Sequence, residues 1–416
     1  MKKDASNSSA ALAEPDPVAL ATAPLARLEQ IAARLQAPLP PFGRPGFSGG
    51  QLGPFLFLFA YAALIEGAEE AAAAAQRQLQ AAIQDFLGLA PGLTYYRELA
   101  EFGSVLLYLQ EQGYLDESVE PLLEQVDRRA VHGLEALAAQ QQFDPFVGYL
   151  PLAHYFLWRH AAAASAGSTA MLRLAVDTLL RDYQPGADGT TGFWFSGLFG
   201  QRQIYLSWSH GQAAMMLFLT QLLAADLPYR RPELRQVLAG AARYCLLPHA
   251  HTGRNRYPDI VDQPGASNTL NLCYGDLGIG FALLQAARAL ADADLDRHAH
   301  HTLALAAARR DPAACNVHDA SLIYGASGNA MLFKALQQDF PEQPGFGEAA
   351  AYWYEQAQAL CQHPGQVAGF RGHYNQQVPS AHYSLFEGLA GVGLALLEFE
   401  VDSLHLLPLL GYPAFS

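Results

Sequence analysis

A cysteine, a histidine and an aspartate each stand in a short segment that leads into an apolar run. Cys273 lies in Asn-Leu-Cys-Tyr-Gly, His210 lies in Ser-His-Gly, and Asp144 directly precedes Pro145. A thiol that loses its proton is a metal ligand and a strong nucleophile, while imidazole exchanges protons near neutral pH. Each residue also has a structural explanation. Cys273 can be a small buried hydrophobe, His210 a hydrogen-bonded core histidine, and Asp144 a helix cap.

These segments belong to a pattern that recurs along the chain. The pattern is Gly-x-x-Gly, or a worn version of it, opening an apolar helix. We call its seven copies glycine segments one to seven, and their first glycine positions are occupied by Gly50, Glu98, Gly148, Gly211, Gly275, Gly325 and Gly388. In the second segment a glutamate replaces the glycine. The intervals of 48 to 64 residues fit two helices per repeat, and such repeats bury their faces by stacking.

Amphipathic stretches separate the glycine segments and supply a second helix for each repeat. They cover residues 68–87, 119–139, 168–182, 231–246, 294–308 and 348–361. The sequence therefore predicts an all-α fold, an α/α toroid of about seven inner and seven outer helices. The glycine segments cluster at one end, where a cleft opens. In the first, second and seventh segments, tight packing of the inner helices is the favoured explanation of the pattern.

The predicted toroid is a single domain over residues 26–416, preceded by a disordered tail over residues 1–25 that is rich in Ser, Ala and Pro. A net charge of −14 speaks against nucleic acid and anionic membrane surfaces as partners. No segment reaches the ~18 apolar residues of a membrane span, and the N-terminus lacks the apolar centre of a signal peptide. Four scattered cysteines argue against a disulfide framework and favour the reducing cytoplasm.

The ordered set of glycine segments, with His-Gly in the fourth and Cys-Tyr-Gly in the fifth, resembles the lanthionine synthetase C-like family over roughly residues 45–400. The family comprises the cyclases of class I lanthipeptide maturation, and its fold is a double α-toroid. The resemblance implies a reaction on a dehydrated precursor peptide. A peptide cysteine adds to dehydroalanine or dehydrobutyrine, which a separate dehydratase makes from Ser or Thr, and a thioether ring results.

The resemblance also implies roles for individual residues. Cys273 matches the first of three zinc ligands in the family, whose zinc turns a coordinated thiol into a thiolate. His210 matches the histidine that handles the proton, and Asp144 matches its acidic partner. Tyr274 follows Cys273 as it does in the family. We therefore expect Asp144, His210 and Tyr274 to be catalytic.

The sixth glycine segment departs from the family. Ile323 and Tyr324 stand where the family has Cys-His, the other two zinc ligands, and Thr269 stands where the family has an arginine. Zinc is expected from the family, but this chain retains only one ligand position, Cys273. Cys315 and His318, three residues apart, are a weak alternative pair of zinc ligands.

Two residues near the worn metal position are predicted to bind substrate. Tyr324 stands at a vacated ligand position, and Glu387 lies beside Gly388 in the seventh segment, where it can reach the cleft. With the zinc ligands lost, His210 assisted by Asp144 can act as the base that takes the thiol proton.

Three accounts of function remain open at this point. The first is an active cyclase with an atypical, zinc-poor site. The second is an inactive pseudo-cyclase that binds the precursor or pairs with a dehydratase or an active cyclase paralogue. The third is another α/α toroid, such as a glycoside hydrolase or a terpene-type cyclase. The third needs paired carboxylates or an Asp-Asp-x-x-Asp run, but the candidate acids Asp144, Asp276 and Glu387 stand in three different segments.

Overall fold

A computed structural model describes residues 22–42, 44–90, 92–115, 117–197, 202–263, 265–401 and 404–413. Within these ranges the chain forms fifteen α-helices: α1 Thr22–Gln36, α2 Leu52–Leu64, α3 Glu69–Leu87, α4 Tyr95–Glu111, α5 Glu120–Ala139, α6 Leu150–Ala162, α7 Ala166–Asp182, α8 Gln212–Ala224, α9 Arg231–Cys245, α10 Asp276–Leu290, α11 Ala293–Ala307, α12 Ala326–Asp339, α13 Pro344–Ala359, α14 Leu389–Val401 and α15 Leu406–Leu409.

Strands are confined to two short pairs in the described chain. β1 (Gln184–Pro185) pairs antiparallel with β2 (Gly192–Phe193), and β3 (Thr252–Gly253) pairs parallel with β4 (Ala266–Ser267). Of the tail predicted over residues 1–25, residues 1–21 lie outside the described residues. Residues 22–25 form the start of α1.

The even-numbered helices α2 to α14 form an inner ring of seven within the described chain. Neighbouring inner helices touch in order, and α14 returns to α2, so the ring closes. Helices α6 and α8 meet through His154 and Phe218, whose ring centroids lie 4.7 Å apart. Asn329 on α12 donates a hydrogen bond to the carbonyl of Leu270, which lies just before α10. The predicted toroid is confirmed.

Burial explains why the inner helices are apolar on all sides. In α8 every residue from Gln212 to Thr220 is buried, and such a helix must be enclosed by protein. An outer helix needs only one apolar stripe. In α5 the buried side chains recur at helical spacing, as Leu123, Val126, Ala130, Leu134 and Leu137.

Seven outer helices surround the ring in the part of the chain that the structure describes. Six follow their inner partners, and these are the six that the sequence pattern predicts: α3, α5, α7, α9, α11 and α13. The seventh is α1, which packs against α2 and α14 and covers the seam where the ring closes. None of the helices in the described ranges combines the length and apolarity that crossing a membrane requires.

The glycine segments lie together at one end of the ring, as predicted. Their backbones hydrogen-bond from one repeat to the next. The amide of Phe386 donates to the carbonyl of Phe47 (N···O 3.0 Å), the amide of Ile323 to the carbonyl of Phe386 (3.0 Å), and the amide of Ser209 to the carbonyl of Cys273 (3.3 Å). Segments one, seven and six, and segments four and five, are therefore tied directly together.

Gly275 shows why a glycine is required in the fifth segment. Its φ is +87°, and a Cβ atom built on it would lie 1.9 Å from the carbonyl oxygen of Thr269. The second segment is different, because Glu98 lies inside α4 rather than in a turn before it. This copy has therefore lost its turn as well as its glycine.

The C-terminal residues fill the interior of the ring beneath the glycine segments. Tyr412 is fully buried, and its hydroxyl donates to the carbonyl of Leu272. Its ring stacks on Trp208 and meets Phe281 edge-on, with centroid distances of 5.5 Å to each. The residues just before it, Pro408 to Gly411, line a cavity together with Phe146 and Trp208.

Candidate functional site

The structure brings Asp144 and His210 together, although they are 66 residues apart in sequence. Nδ1 of His210 lies 3.2 Å from Oδ2 and 3.4 Å from Oδ1 of Asp144. Asp144 is 2% exposed, and the His210 side chain is 12% exposed. A carboxylate accepts hydrogen bonds and donates none, so it favours a proton on Nδ1 and leaves Nε2 free to accept one.

Three further hydrogen bonds fix the Asp144 carboxylate. Oδ1 accepts from the backbone amides of Phe146, at 2.7 Å, and Val147, at 3.1 Å. Oδ2 accepts from the hydroxyl of Ser196 at 2.6 Å. The third glycine segment thus wraps around its own aspartate, and Ser196 supports it from the β2 side. No pattern in the sequence indicated Ser196, since it lies outside every glycine segment.

Aromatic rings enclose the His210 imidazole. The ring centroids of Tyr205, Phe146 and Tyr274 lie 5.3, 5.8 and 6.5 Å from it. Burial raises the pKa of Tyr274, and the neighbouring Cys273 raises it further. Tyr274 is therefore a neutral phenol beside the imidazole, able to donate a hydrogen bond.

Cys273 is 1% exposed, and its thiol is not activated by its surroundings. Burial raises the pKa of Cys273 far above the ordinary value, and Glu387 adds to this effect. A hydrogen bond from the Tyr324 hydroxyl opposes the shift but does not cancel it. The pKa of Tyr324 is raised in turn, first by Cys273 and then by burial. Both groups are neutral at physiological pH.

The donor groups at the vacated metal position do not fit the family's zinc site. A catalytic zinc ion needs three protein ligands, and here one thiol and one phenol lie together. Ile323 offers an aliphatic side chain that is fully buried. Across the described ranges, His, Cys, Asp and Glu side chains form no group of three or more that could hold a metal ion.

The alternative pair Cys315 and His318 gains no further ligand. Cys315 is buried, and burial raises its pKa. The ring of His318 lies against that of His373, with centroids 4.3 Å apart, on the exposed side of the segment. Within the described residues this pair belongs to no larger group of metal-binding side chains.

Tyr324 hydrogen-bonds the Cys273 thiol, and the charge of Glu387 reaches that thiol. A substrate-binding role for these two residues stays a prediction. Nδ2 of Asn375 donates to both carboxylate oxygens of Glu387, at 2.8 and 2.7 Å. Burial raises the pKa of Glu387, and this amide opposes the shift. The ring of Tyr374 lies 4.9 Å from that of Tyr324 and is 38% exposed, so an aromatic wall leads from the surface to the thiol.

The three candidate acids have different partners. Asp144 binds His210, Glu387 binds Asn375, and Asp276 accepts from the backbone amide of Arg256 at 2.9 Å. Burial raises the pKa of Asp276 to about 6. The account of a glycosidase built on two facing carboxylates gains no support from this arrangement.

Arg97 is a site residue that the sequence did not predict. It stands in the first turn of α4, is 6% exposed, and its guanidinium carbon lies 3.8 Å from the centroid of the Phe146 ring. It lines a cavity of about 110 Å³ with Phe146, Trp208 and Leu410. The sequence did contain an indication of a polar site here, since the second glycine segment alone carries charged residues, Glu98 and Glu101, at glycine positions.

The arrangement as a whole suits proton transfer more than metal chemistry. An imidazole fixed by a buried carboxylate offers a free nitrogen, and a neutral phenol stands beside it. A buried cation, Arg97, packs on Phe146, the ring that borders the imidazole. These are the parts of a site that removes a proton from a nucleophile and accepts charge developing on an electrophile.

Comparison with known proteins agrees with the architecture. A family model described as lanthionine synthetase C-like protein matches residues 42–410. Among solved structures, nisin cyclase is similar with a TM-score of 0.70 and 15% sequence identity, over 93% of this chain and 97% of that chain. At this identity the likeness concerns the fold. A comparison with curated proteins found no match.

Proposed function

The chain belongs to the lanthionine synthetase C-like family, and from this premise we propose that it promotes thioether ring formation in a dehydrated precursor peptide. The peptide binds at the end of the ring where the glycine segments meet. One of its cysteine thiols adds to dehydroalanine or dehydrobutyrine in the same peptide. The observation that carries the proposal is the His210 imidazole fixed by the buried Asp144 carboxylate.

His210 is the base in this reaction. Its Nδ1 faces Asp144, so its Nε2 is free to accept the proton of the peptide thiol. Moving a proton from a thiol to a neutral base costs free energy, and the site must offset that cost. Holding the two reacting groups together supplies on the order of 7 kcal/mol or more in favourable cases. Positioning therefore offsets the cost of working without a thiolate-forming metal.

The addition balances within the peptide. The thiol proton moves to His210, a bond forms between sulfur and the β carbon, and the double bond shifts to give an enolate. The α carbon then takes a proton from the His210 imidazolium. Tyr274, a neutral phenol beside the imidazole, serves as a hydrogen-bond donor to the peptide. Tyr324 and Glu387 contact the peptide along the aromatic wall.

No step in this scheme runs through zinc. Cys273 and Tyr324 provide one thiol and one phenol, and Ile323 provides no donor, so the donor set does not fit the ion. The scheme therefore assigns the task of taking the thiol proton to His210. All four cysteines of the chain are free and buried, which supports a reducing compartment such as the cytoplasm as its location.

The test is the rate at which the purified protein closes rings in a dehydrated precursor. Free thiols are counted by alkylation and mass spectrometry, against a reaction without protein. We expect acceleration by the wild type and none by His210→Ala. The matched control is His160→Ala, since His160 lies in the last turn of α6 and contacts Ser168, away from the glycine segments. Equal rates with wild type and His210→Ala would contradict the proposal.

A second function is favoured by Ile323 and by the buried, unactivated Cys273 thiol. In that function the chain is a pseudo-cyclase that binds the precursor without catalysis, or pairs with the dehydratase or an active cyclase paralogue. The same assay separates the two functions. Retained peptide binding together with the spontaneous rate of ring closure identifies the pseudo-cyclase.

A further inference from the structure

Arg97 is a buried cation, and two of its guanidinium nitrogens lack a hydrogen-bond partner in the part of the chain that the structure describes. Among the described residues, neither Nε nor Nη1 of Arg97 has a hydrogen-bond partner, although both are fully buried. Nε lies 3.3 Å from Oε1 of Glu101, close enough for ion pairing but without hydrogen-bond geometry. Donors left unpaired in the interior of a protein cost free energy, so an acceptor that is absent from the chain itself is expected there.

The position of Arg97 is held firmly. Its guanidinium lies over the face of Phe146, and Phe146 in turn meets the His210 ring edge-on. Its ion-pair partner Glu101 is itself anchored, because Oε2 accepts a hydrogen bond from the amide of Phe47 at 2.9 Å. The guanidinium is thus pre-organised against the same aromatic ring that borders the proposed base.

The charge of Arg97 acts on the substrate side of the site. It lowers the pKa of both Tyr324 and Glu387 against the larger effects that raise them. Arg97 therefore contacts the ring that borders the imidazole, and its charge also reaches Tyr324 and Glu387. It also lines the cavity whose other walls, such as Trp208 and Leu410, are mostly apolar. Further polar residues of that cavity are Glu101, Ser104 and His154. A ligand that fits this cavity has an apolar body and an oxygen acceptor.

We propose that the Arg97 guanidinium binds the carbonyl oxygen of the dehydroamino acid and stabilises the enolate that forms when the thiol adds. The inference rests on the proposed function, because it assigns the electrophilic half of that reaction. The N–H groups of the guanidinium are the donors. As the carbon–sulfur bond forms, the electron pair of the double bond moves onto that oxygen, opposite the guanidinium. The charge disappears when the α carbon is protonated.

Fixed donors aimed at developing charge act mainly on the transition state. Removing one such donor slows a reaction on the order of 10²–10³-fold, while the affinity for the ground state changes little. Arg97→Gln is the direct test, and the readout is single-turnover ring closure at saturating peptide. Arg129→Gln is the matched control, since Arg129 also lies over a phenylalanine ring, that of Phe86, but on the outer helix α5.

The expected result is a loss on the order of 10²–10³-fold in the ring-closure rate for Arg97→Gln, with unchanged affinity for a dehydrated peptide whose cysteine is replaced by alanine. Millimolar guanidinium ion should restore part of the ring-closure rate of Arg97→Ala. A misfolded variant would show no such recovery. If Arg97→Gln does not fold, Arg97→Lys is measured in its place. Its ring-closure rate should also fall, because the ammonium group of lysine cannot present the paired N–H donors of a planar guanidinium.

Three outcomes overturn the inference, and they are distinguishable. If the wild type accelerates ring closure and Arg97→Gln matches Arg129→Gln, the proposed function stands and the role of Arg97 is wrong. If Arg97→Gln loses only peptide affinity, Arg97 binds the ground state and not the enolate. If the wild type gives only the spontaneous rate, the proposed function fails and the inference falls with it.

Discussion

Replacing Asp144 by asparagine should abolish the base while leaving the fold intact. The asparagine oxygen can still accept from the amides of Phe146 and Val147, and its NH2 group can donate to the Ser196 hydroxyl. Toward His210, however, an acceptor becomes a donor. The imidazole then places its proton on Nε2 in order to accept at Nδ1, and Nε2 can no longer take the thiol proton.

The size of the effect follows from the hydrogen bond that is lost. A hydrogen bond to a charged group contributes about 1.5–3 kcal/mol, and this is what holds the productive tautomer. Restoring that tautomer against the new donor costs a similar amount again, about 3–6 kcal/mol in all. That corresponds to a rate loss on the order of 10²–10⁴-fold. The same exchange in a Ser-His-Asp triad costs about 10⁴-fold.

The free energy of unfolding distinguishes the change of His210 tautomer from a packing defect. Asp144→Asn should change the free energy of unfolding by only about 1 kcal/mol, because three of its hydrogen bonds can be kept. Asp144→Ala, which leaves the donors of Phe146, Val147 and Ser196 unpaired, should lose several times more.

The assay is ring closure in a dehydrated precursor, followed by thiol alkylation, with urea unfolding of each variant in parallel. The control is Asp127→Asn, since Asp127 accepts from Tyr155 and Arg159 on the outer side of α6. A ring-closure rate for Asp144→Asn within threefold of the wild type, in a folded protein, would refute the tautomer argument.

Three further predictions concern the scaffold and the worn metal position. Gly275→Ala should destabilise the fold by more than about 2 kcal/mol in urea unfolding, whereas Gly189→Ala, also at positive φ but with open space around it, should cost only about 1 kcal/mol. Burial raises the pKa of Glu101 to about 7, so the folded state binds more protons than the unfolded state between pH 4.5 and 7. Stability should fall by about 3 kcal/mol across that window as pH rises, and Glu101→Gln should flatten the curve. The double variant Ile323→Cys/Tyr324→His should retain about one zinc per chain by elemental analysis, well above the wild type; equal contents would show that these positions do not face Cys273.

The ring itself could be predicted because its cause is local. Inner helices such as α8 are apolar on all sides and begin at a glycine segment, and outer helices such as α5 carry one apolar stripe. Counting the repeats was therefore enough to predict the toroid. The pairing of Asp144 with His210 was implied by the family resemblance, and the repeats placed both residues just before an inner helix.

The features that were missed depend on contacts between distant parts of the chain. Helix α1 precedes the repeats and does not follow a glycine segment, so the repeat pattern did not predict it. It nevertheless packs against α2 and α14, where the ring closes. Tyr412 reaches the carbonyl of Leu272 from the other end of the chain. Arg97 lies in the segment whose glycines are worn away, and only the packing of Phe146 reveals where it lies.

Ring closure measured with and without a zinc chelator tests the central claim most directly. The account predicts that the wild-type protein accelerates thiol addition in a dehydrated precursor, that His210→Ala does not, and that a chelator leaves the wild-type rate unchanged. Loss of the wild-type rate in chelator, with recovery on adding zinc, would contradict it.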